Sequence, residues 1–461
     1  MSKRMYPYIP DSEPAVQAEM LKFIGAKSIE ELISDIPEEV RMKKPMELPE
    51  PYNDEAGLYG HVSGILNKDR TASELRCFLG AGCYNRYVPA VVDEVINRSE
   101  FLTAYAGEPY EDHGRFQAMF EYESMMAELL DFDVCNVPNY DGAHAMNTSL
   151  RMACRVTGRK EVLIPRNVNP DVLTAVLTYL QPDVKVTFVD YNAKTGRICL
   201  DNLRSKMSDQ VAAVLVMNPN FFGIVEEKVQ EISELAHSHG AMMVAYVEPA
   251  TLGVLTPPSR YGADIACGDL QPLGIHMNFG GGVAGFIATS DTPRIIEEFP
   301  SRLFGIAPTK DREWGFGDVL WGRTSFANRD HAKEFVGTHS ALWGLAAGAY
   351  LASMGPQGMK ELGEAIVQRQ VCLKNNIAGL KNVKIDKFSG ATFEEFVADF
   401  SATGKSVKEI NKKLLDKGIL GGYDLGEAFQ ELAGCMLLCA TERTTAEDIK
   451  ALAAALGEIL A

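Results

Sequence analysis

One long stretch of this 461-residue chain has no lysine: none occurs between Lys228 and Lys310, which excludes a Schiff-base lysine from that interval. Paired cysteines are missing too. The nine cysteines are scattered, odd in number and without a CxxC, which argues for buried free thiols in a reducing compartment over a disulfide framework. The eight histidines show no HExxH or other ligand spacing. His237 and His239 lie two apart and would face different ways on a helix, so no metal site is expected. Basic charge is short, with 45 Lys and Arg against 62 Asp and Glu, a net charge of −17 and a pI near 5.0. Nucleic acid and anionic membranes call for basic clusters, so neither is expected as a partner. The longest quasi-apolar run, from Ala341 to Met354, is too short to span a bilayer and reads as a buried helix. The opening residues, MSKRMYPYIPDSE, carry no apolar core of a secretory signal. Together these point to a cytoplasmic protein.

What is present is ordinary for a globular enzyme: 46% hydrophobic and 23% charged residues, in a chain long enough for two or three domains. Residues 1–75 read as an N-terminal arm with helical segments. There SIEEL offers Ser28 as N-cap with Glu31 three positions on, a capping box. Pro45, Pro49 and Pro51 mark an extended stretch from Val40 to Tyr52. Residues 76–339 form a large domain in which VLIP, VKVTFVD, AAVLVMNP, MMVAYVEP and ADIAC alternate with helical patterns such as Val229 to His239. Continuous apolar strands between helices predict a mostly parallel α/β sheet covered on both faces. Sites in such sheets lie at the carboxyl ends of strands, which here carry Asn218-Pro219-Asn220, Glu248-Pro249 and Gly268-Asp269. Residues 340–461 predict a small α+β domain: a long helix to about Leu380, a strand from Phe393 to Phe400, a helix from Ser406 to Lys417, the strand CMLLCATE and a helix from Thr445 to Leu460.

Two loops are polar and aromatic where a plain connector need not be. FLGAGCYN ends in Tyr84 and Asn85, and AYAGEPYEDHG carries Tyr105, Tyr110 and Glu111. Glycines at 80 and 82 would let backbone approach a ligand closely. The run GGGVAG fits GxGxxG, but the residues after it, GFIATS, read as a strand. A dinucleotide site needs a helix there, so a turn between strands is expected.

From Gly262 to Gly285 the chain reads GADIACGDLQPLGIHMNFGGGVAG, preceded by a strand that ends in Glu248. This outline resembles the aminotransferase-like family of pyridoxal phosphate (PLP) enzymes, fold type I, in which a strand-end carboxylate meets the pyridinium nitrogen and a lysine some twenty to thirty residues later holds the cofactor. Here Asp269-Leu270-Gln271-Pro272 stands in the lysine's place, with Pro272 near its expected position.

FLGAGCYNRYVPAVV, FLTAY, YDGAHA, GADIACGDLQPLG, GGYDLG and LLCATE, with the N-terminal YIPDSE and SIEELISDIPEEVR, resemble the first (α) subunit of the two-subunit glycine dehydrogenase (decarboxylating), the P-protein of the glycine cleavage system. The resemblance implies an aspartate-aminotransferase-type fold and a heterotetramer in which a homologous β subunit carries the PLP lysine. It implies decarboxylation of glycine with PLP as electron sink, and passage of the aminomethyl group to the lipoyl arm of the H-protein. This chain would hold no PLP covalently, and Tyr84, Asn85, Tyr105 and Glu111 would complete the partner's active site. The sequence departs from the family pattern in the shortened loop YAGEPYEDHG, in the segment Ser325 to Ser340, at Glu248 in place of Asp and at His144 in place of a small residue. These departures leave open a paralogous subunit acting on another small amino acid or amine, or a non-catalytic scaffold partner of a PLP enzyme.

Overall fold

A computed structural model of the chain describes residues 8–9, 12–44, 46–102, 113–181, 183–280, 283–300, 302–334 and 340–461, with the side chains of 113 and 114 left out. The chain forms two compact units, Met1–Asp69 and Arg70–Ala461.

The first unit contains the helices Pro14–Ile24, Ile29–Leu32 and Glu55–Leu66, and none of them buries a residue. Asp54 caps the third by accepting from the Gly57 amide. The capping box expected at Ser28 does not form. Glu31 turns back to accept from the Lys27 amide at 2.7 Å, and the Ser28 side chain makes no cap bond. The Glu31 carboxylate is thereby bonded one residue ahead of the N-cap amide that the box uses.

In the second unit the strands are β1 (Arg76–Cys77), β2 (Val134–Cys135), β3 (Glu161–Pro165), β4 (Lys185–Val189), β5 (Val211–Asn218), β6 (Met242–Val247), β7 (Ile265–Asp269) and β8 (Gly285–Thr289). Seven of them make one sheet in the order β2-β8-β7-β6-β5-β3-β4. Strands β3 to β7 run parallel, and β8 and β2 close one edge antiparallel. Alternation within β5 shows why apolar residues fill the strand: Val214 and Val216 join the core on one face, Ala213 and Leu215 the core on the other. GFIAT, after the Gly-rich run, is β8, as a turn between strands requires.

A hairpin follows, β9 (Leu303–Pro308) with β10 (Trp314–Val319). The long helix Ala341–Ile377 breaks at Gly355, whose φ is 60°, just before Pro356. Proline lacks the amide that the helix needs, and glycine accepts the positive φ of the break. Beyond it β11 (Glu395–Asp399), β14 (Cys435–Cys439) and β13 (Tyr423–Asp424) form an antiparallel sheet, while β12 (Ile419–Leu420) pairs with β1. The sequence divides this region at residue 340, but one compact unit covers both parts. The helix Ala341–Ile377 supplies Ala346, Tyr350 and Ile366 to the large core and Leu373 and Ile377 to the small one. The pairing of β1 with β12 ties residue 76 to the C-terminal part as well.

Candidate functional site

A cleft of about 340 Å³ opens at the carboxyl ends of β5, β6 and β7, where such sheets place their ligands. Glu248 follows β6 and Asp269 ends β7. The loop Ala81–Tyr84, the start of the helix Gly142–Thr157 and the segment Phe393–Glu395 complete the walls. Asp141 and Asp171 also line it. Among the described residues its lining includes six carboxylates and no Lys, Arg or His.

Behind the wall sits Arg86, with a side chain only 1% exposed. Its Nη2 donates to Glu248 Oε1 at 2.6 Å and to Glu394 Oε2 at 3.0 Å, and its Nη1 donates to Glu442 Oε2 at 3.0 Å. Burial pulls the guanidinium's pKa down, but Glu394, Glu248 and Glu442 outweigh burial and hold it well above its ordinary value. One cation thus faces three carboxylates directly. Next to them Glu395 accepts from the Ala81 amide at 2.6 Å and from the Tyr84 hydroxyl at 3.2 Å. Burial pushes the Glu395 carboxyl up to about 7 and holds Glu394 well above its ordinary value. Glu394 is 2% exposed and its Oε1 has no hydrogen-bond partner. Its φ of 62° is a conformation that costs a non-glycine residue about 1 kcal/mol or more.

On the opposite wall Asp269 accepts from the Gln271 amide at 2.8 Å and the Gly142 amide at 3.0 Å. Asp141 caps the same helix by accepting from the His144 amide at 2.6 Å. Burial lifts Asp269 to about 7. A side chain at Gly142 would place a Cβ 2.5 Å from the Tyr246 hydroxyl, so only glycine lets the helix start here. Gln271, from the DLQP run, grips the loop at both polar atoms: it accepts from the Tyr84 amide and donates to the Tyr84 carbonyl, each at 3.0 Å.

The sequence candidates separate. Tyr84 is buried in the cleft wall, with its hydroxyl committed to Glu395. Asn85 points the other way, because adjacent residues of an extended segment alternate sides. Its Oδ1 accepts from Arg443 and its carbonyl accepts from Thr441, beside a different depression that Arg76 also lines. Tyr105 and Glu111 lie outside the described residues. Pro272 lines the cleft. The glycines at 80 and 82 serve close packing inside the chain: a Cβ at 80 would meet Glu395 Oε1 at 2.4 Å, and Gly82, with φ +102°, lies against Asn169. The strand-end carboxylate Glu248 is tied to Arg86.

Arg86, Glu394, Glu395 and Glu442 were not singled out from sequence. The signal for two of them was present: adjacent glutamates inside the apolar strand FEEFVADF put at least one carboxylate in a core, where a charge needs a partner.

The model of the glycine cleavage system P-protein family matches residues 6–456. The chain belongs to that family. A relative from Staphylothermus marinus is 37% identical over 99% of this chain and 98% of its own length. One from Carboxydothermus hydrogenoformans is 39% identical over 98% and 99%. Both are named "Probable glycine dehydrogenase (decarboxylating) subunit 1". Among solved structures, an inhibitor-bound crystal structure of glycine decarboxylase (P-protein) of the glycine cleavage system superposes with a TM-score of 0.86, at 32% identity over 99% of this chain and 100% of that one. A sphingosine-1-phosphate lyase of Burkholderia pseudomallei (TM-score 0.66, 14% identity, 90% of this chain and 92% of that one) and a NifS-like protein of Rickettsia africae (0.62, 12%, 84% and 99%) share the fold alone. The P-protein family has the fold type I architecture of PLP-dependent enzymes, and the seven-stranded sheet here is that architecture. Among the described residues of this family member no helix is long and apolar enough to cross a membrane.

Proposed function

We propose that the chain is the α subunit, subunit 1, of a two-subunit glycine dehydrogenase (decarboxylating). It would work as a heterotetramer with a homologous β subunit that bears the PLP, and with the lipoyl group of the H-protein as acceptor. Full-length similarity to proteins named as subunit 1 supports the assignment. The observation that carries the division of labour is the chemistry of the cleft. The interval from Lys228 to Lys310 has no lysine, and among the described residues the cleft wall carries none. The helix amides of Gly142 and His144, at the kind of helix start where a phosphate group would bind, already donate to Asp269 and Asp141. Glu248 is paired with Arg86. These residues do not fit PLP, so no step of the reaction is assigned to this cleft.

The chain's contribution is then structural support and site completion for the partner. Tyr105 and Glu111 are proposed to reach the partner's active site, where a tyrosine hydroxyl donates to a substrate carboxylate and the ring excludes water. Tyr84 and Asn85 are proposed to hold the loop that precedes them. The N-terminal unit, which buries none of its helix residues, is proposed to dock on the partner. Obligate interfaces bury about 2,000 Å² or more in total, and exposed Phe23, Val40 and Tyr59 are the kind of side chains such an interface consumes. The test is reconstitution: glycine-dependent CO2 release with lipoylated H-protein should need both chains. Full turnover by the PLP-bearing chain alone would contradict the proposal.

A further inference from the structure

The fold and the cleft disagree. The sheet is that of the PLP-dependent fold type I enzymes, yet the cleft at its carboxyl end does not fit PLP. Lack of room is not the reason. The cavity of about 340 Å³ falls in the usual range for small-molecule sites, about 300–1,000 Å³. Each end of a phosphorylated pyridine would instead meet a contact that the chain already makes with itself.

At the ring end, Glu248 is the strand-end carboxylate expected to meet a pyridinium nitrogen. It accepts from Arg86 Nη2 at 2.6 Å. At the phosphate end, the helix Gly142–Thr157 offers the kind of start that holds phosphate. Two of its amides are taken. His144 donates to Asp141 Oδ1 at 2.6 Å, and Gly142 donates to Asp269 Oδ2 at 3.0 Å. The two carboxylates differ in origin. Asp141 is the helix's own N-cap, an ordinary local contact. Asp269 comes from the end of β7, far away in the chain, and the Gln271 amide fixes its other oxygen at 2.8 Å. It is an anion of this chain, bonded to an amide that a phosphate oxygen would use.

We propose that Asp269 bars phosphorylated ligands from this cleft: an internal carboxylate stands in for phosphate at the helix start, so the exclusion is by charge and not by shape.

A phosphate brought to this start would have to displace Asp269 from the Gly142 amide and then stand beside two carboxylates, where like charges repel strongly. Among the described residues the lining has no Lys, Arg or His to offset them. The groups around Asp269 are Asp141, Glu248, Tyr246 and Cys83, and none is a cation. Burial, and then Asp141 and Glu248, push the Asp269 carboxyl up to about 7. The bar therefore weakens as pH falls through that value. This inference rests on the reading that the partner holds the cofactor. A pyridoxyllysine in this chain would overturn that reading, and it is seen before any titration begins.

The experiment uses the assembled complex after borohydride has locked PLP onto the partner. Wild type and Asp269→Asn are titrated calorimetrically with pyridoxine phosphate, pyridoxine and sulfate. None of the three forms an imine, so surface lysines stay silent. In Asp269→Asn, pyridoxine phosphate and sulfate should each give one saturable event per copy of this chain. Both should bind about tenfold or more tightly than to wild type at pH 8, and pyridoxine should give no such event. Should Asp269→Asn fail to assemble, wild type at pH 6 takes its place, because sulfate keeps its double charge while Asp269 gains a proton. Sulfate binding should then appear and be lost in Ala143→Leu, which fills the cleft at the same helix start. An assembled Asp269→Asn complex that takes up pyridoxine phosphate and sulfate no better than wild type would overturn the proposal. So would wild-type binding of pyridoxine phosphate at pH 8 that Ala143→Leu abolishes, or, in the fallback, no sulfate binding at pH 6 that depends on Ala143.

Discussion

The two compact units use similar kinds of residue to opposite effect. In Met1–Asp69 the large apolar side chains stay outside: Phe23 is 91% exposed, and none of the α-helices buries a residue. In Arg70–Ala461 the apolar strands vanish into cores on both faces of the sheet, and even carboxylates are taken inside around Arg86. A segment that gains so little from its own burial cannot offset the entropy of ordering its chain. In the proposed assembly the partner supplies the surface it lacks. The second unit holds extensive cores on both faces of its sheet and, beside them, a buried cluster of more carboxylates than cations.

That contrast breaks most readily at the N-terminus. Deleting residues 1–69 should weaken association with the partner by at least about a thousandfold, about 4 kcal/mol, while the thermal midpoint of the remaining unit stays where it was. Sedimentation and calorimetry of the truncated chain read both quantities. A truncated chain that still assembles would return the N-terminal unit to the status of a tether.

Within the second unit, Arg86→Met leaves Glu248, Glu394 and Glu442 without their shared cation. The cost should be about 3–5 kcal/mol in denaturant unfolding at neutral pH, and much less at low pH, where the carboxyls carry protons. A loss of similar size at both pH values would show that packing matters there more than charge.

Glu395→Gln tests the same cluster with the opposite sign. The Glu395 carboxyl titrates near 7 when folded, against an ordinary 4.5. Between those values the folded chain holds a proton that the unfolded chain has released, so wild-type stability falls as pH rises through the window. Above it the full penalty remains. The amide carries no such penalty, so the variant should be more stable than wild type at pH 8 by up to about 3 kcal/mol, with the gain gone near pH 4.

The smallest effect separates the two units by their helix caps. Ser406 makes a complete capping box with Glu409, so Ser406→Ala should cost about 1 kcal/mol. Ser28 makes no cap bond, and Ser28→Ala should change stability by no more than about 0.5 kcal/mol.

The same contrast shows which parts of the molecule the sequence revealed. Strands such as AAVLVMN and MMVAYV were legible because a parallel strand buried on both faces reads as an unbroken apolar run. The GADIACGDLQP stretch gave the cleft's place and its missing lysine. The cluster around Arg86 was not legible, because its members stand at 86, 248, 394, 395 and 442. No local pattern links positions so far apart, and only the fold brings them together. Tyr84 and Asn85 read as one polar motif, yet the alternation of an extended chain sends them to different clefts. The Ser28 box failed because the Glu31 carboxylate meets the Lys27 amide, one residue ahead of the N-cap, and the spacing alone could not show which amide it would take.

The central claim is that this chain has the fold of a PLP enzyme but leaves the cofactor to its partner. The most direct measurement is borohydride reduction of the assembled, PLP-saturated complex, followed by peptide mapping of both chains. The account predicts pyridoxyllysine in the partner alone, with every lysine peptide of this chain unmodified. A stoichiometric pyridoxyllysine anywhere in this chain would contradict it.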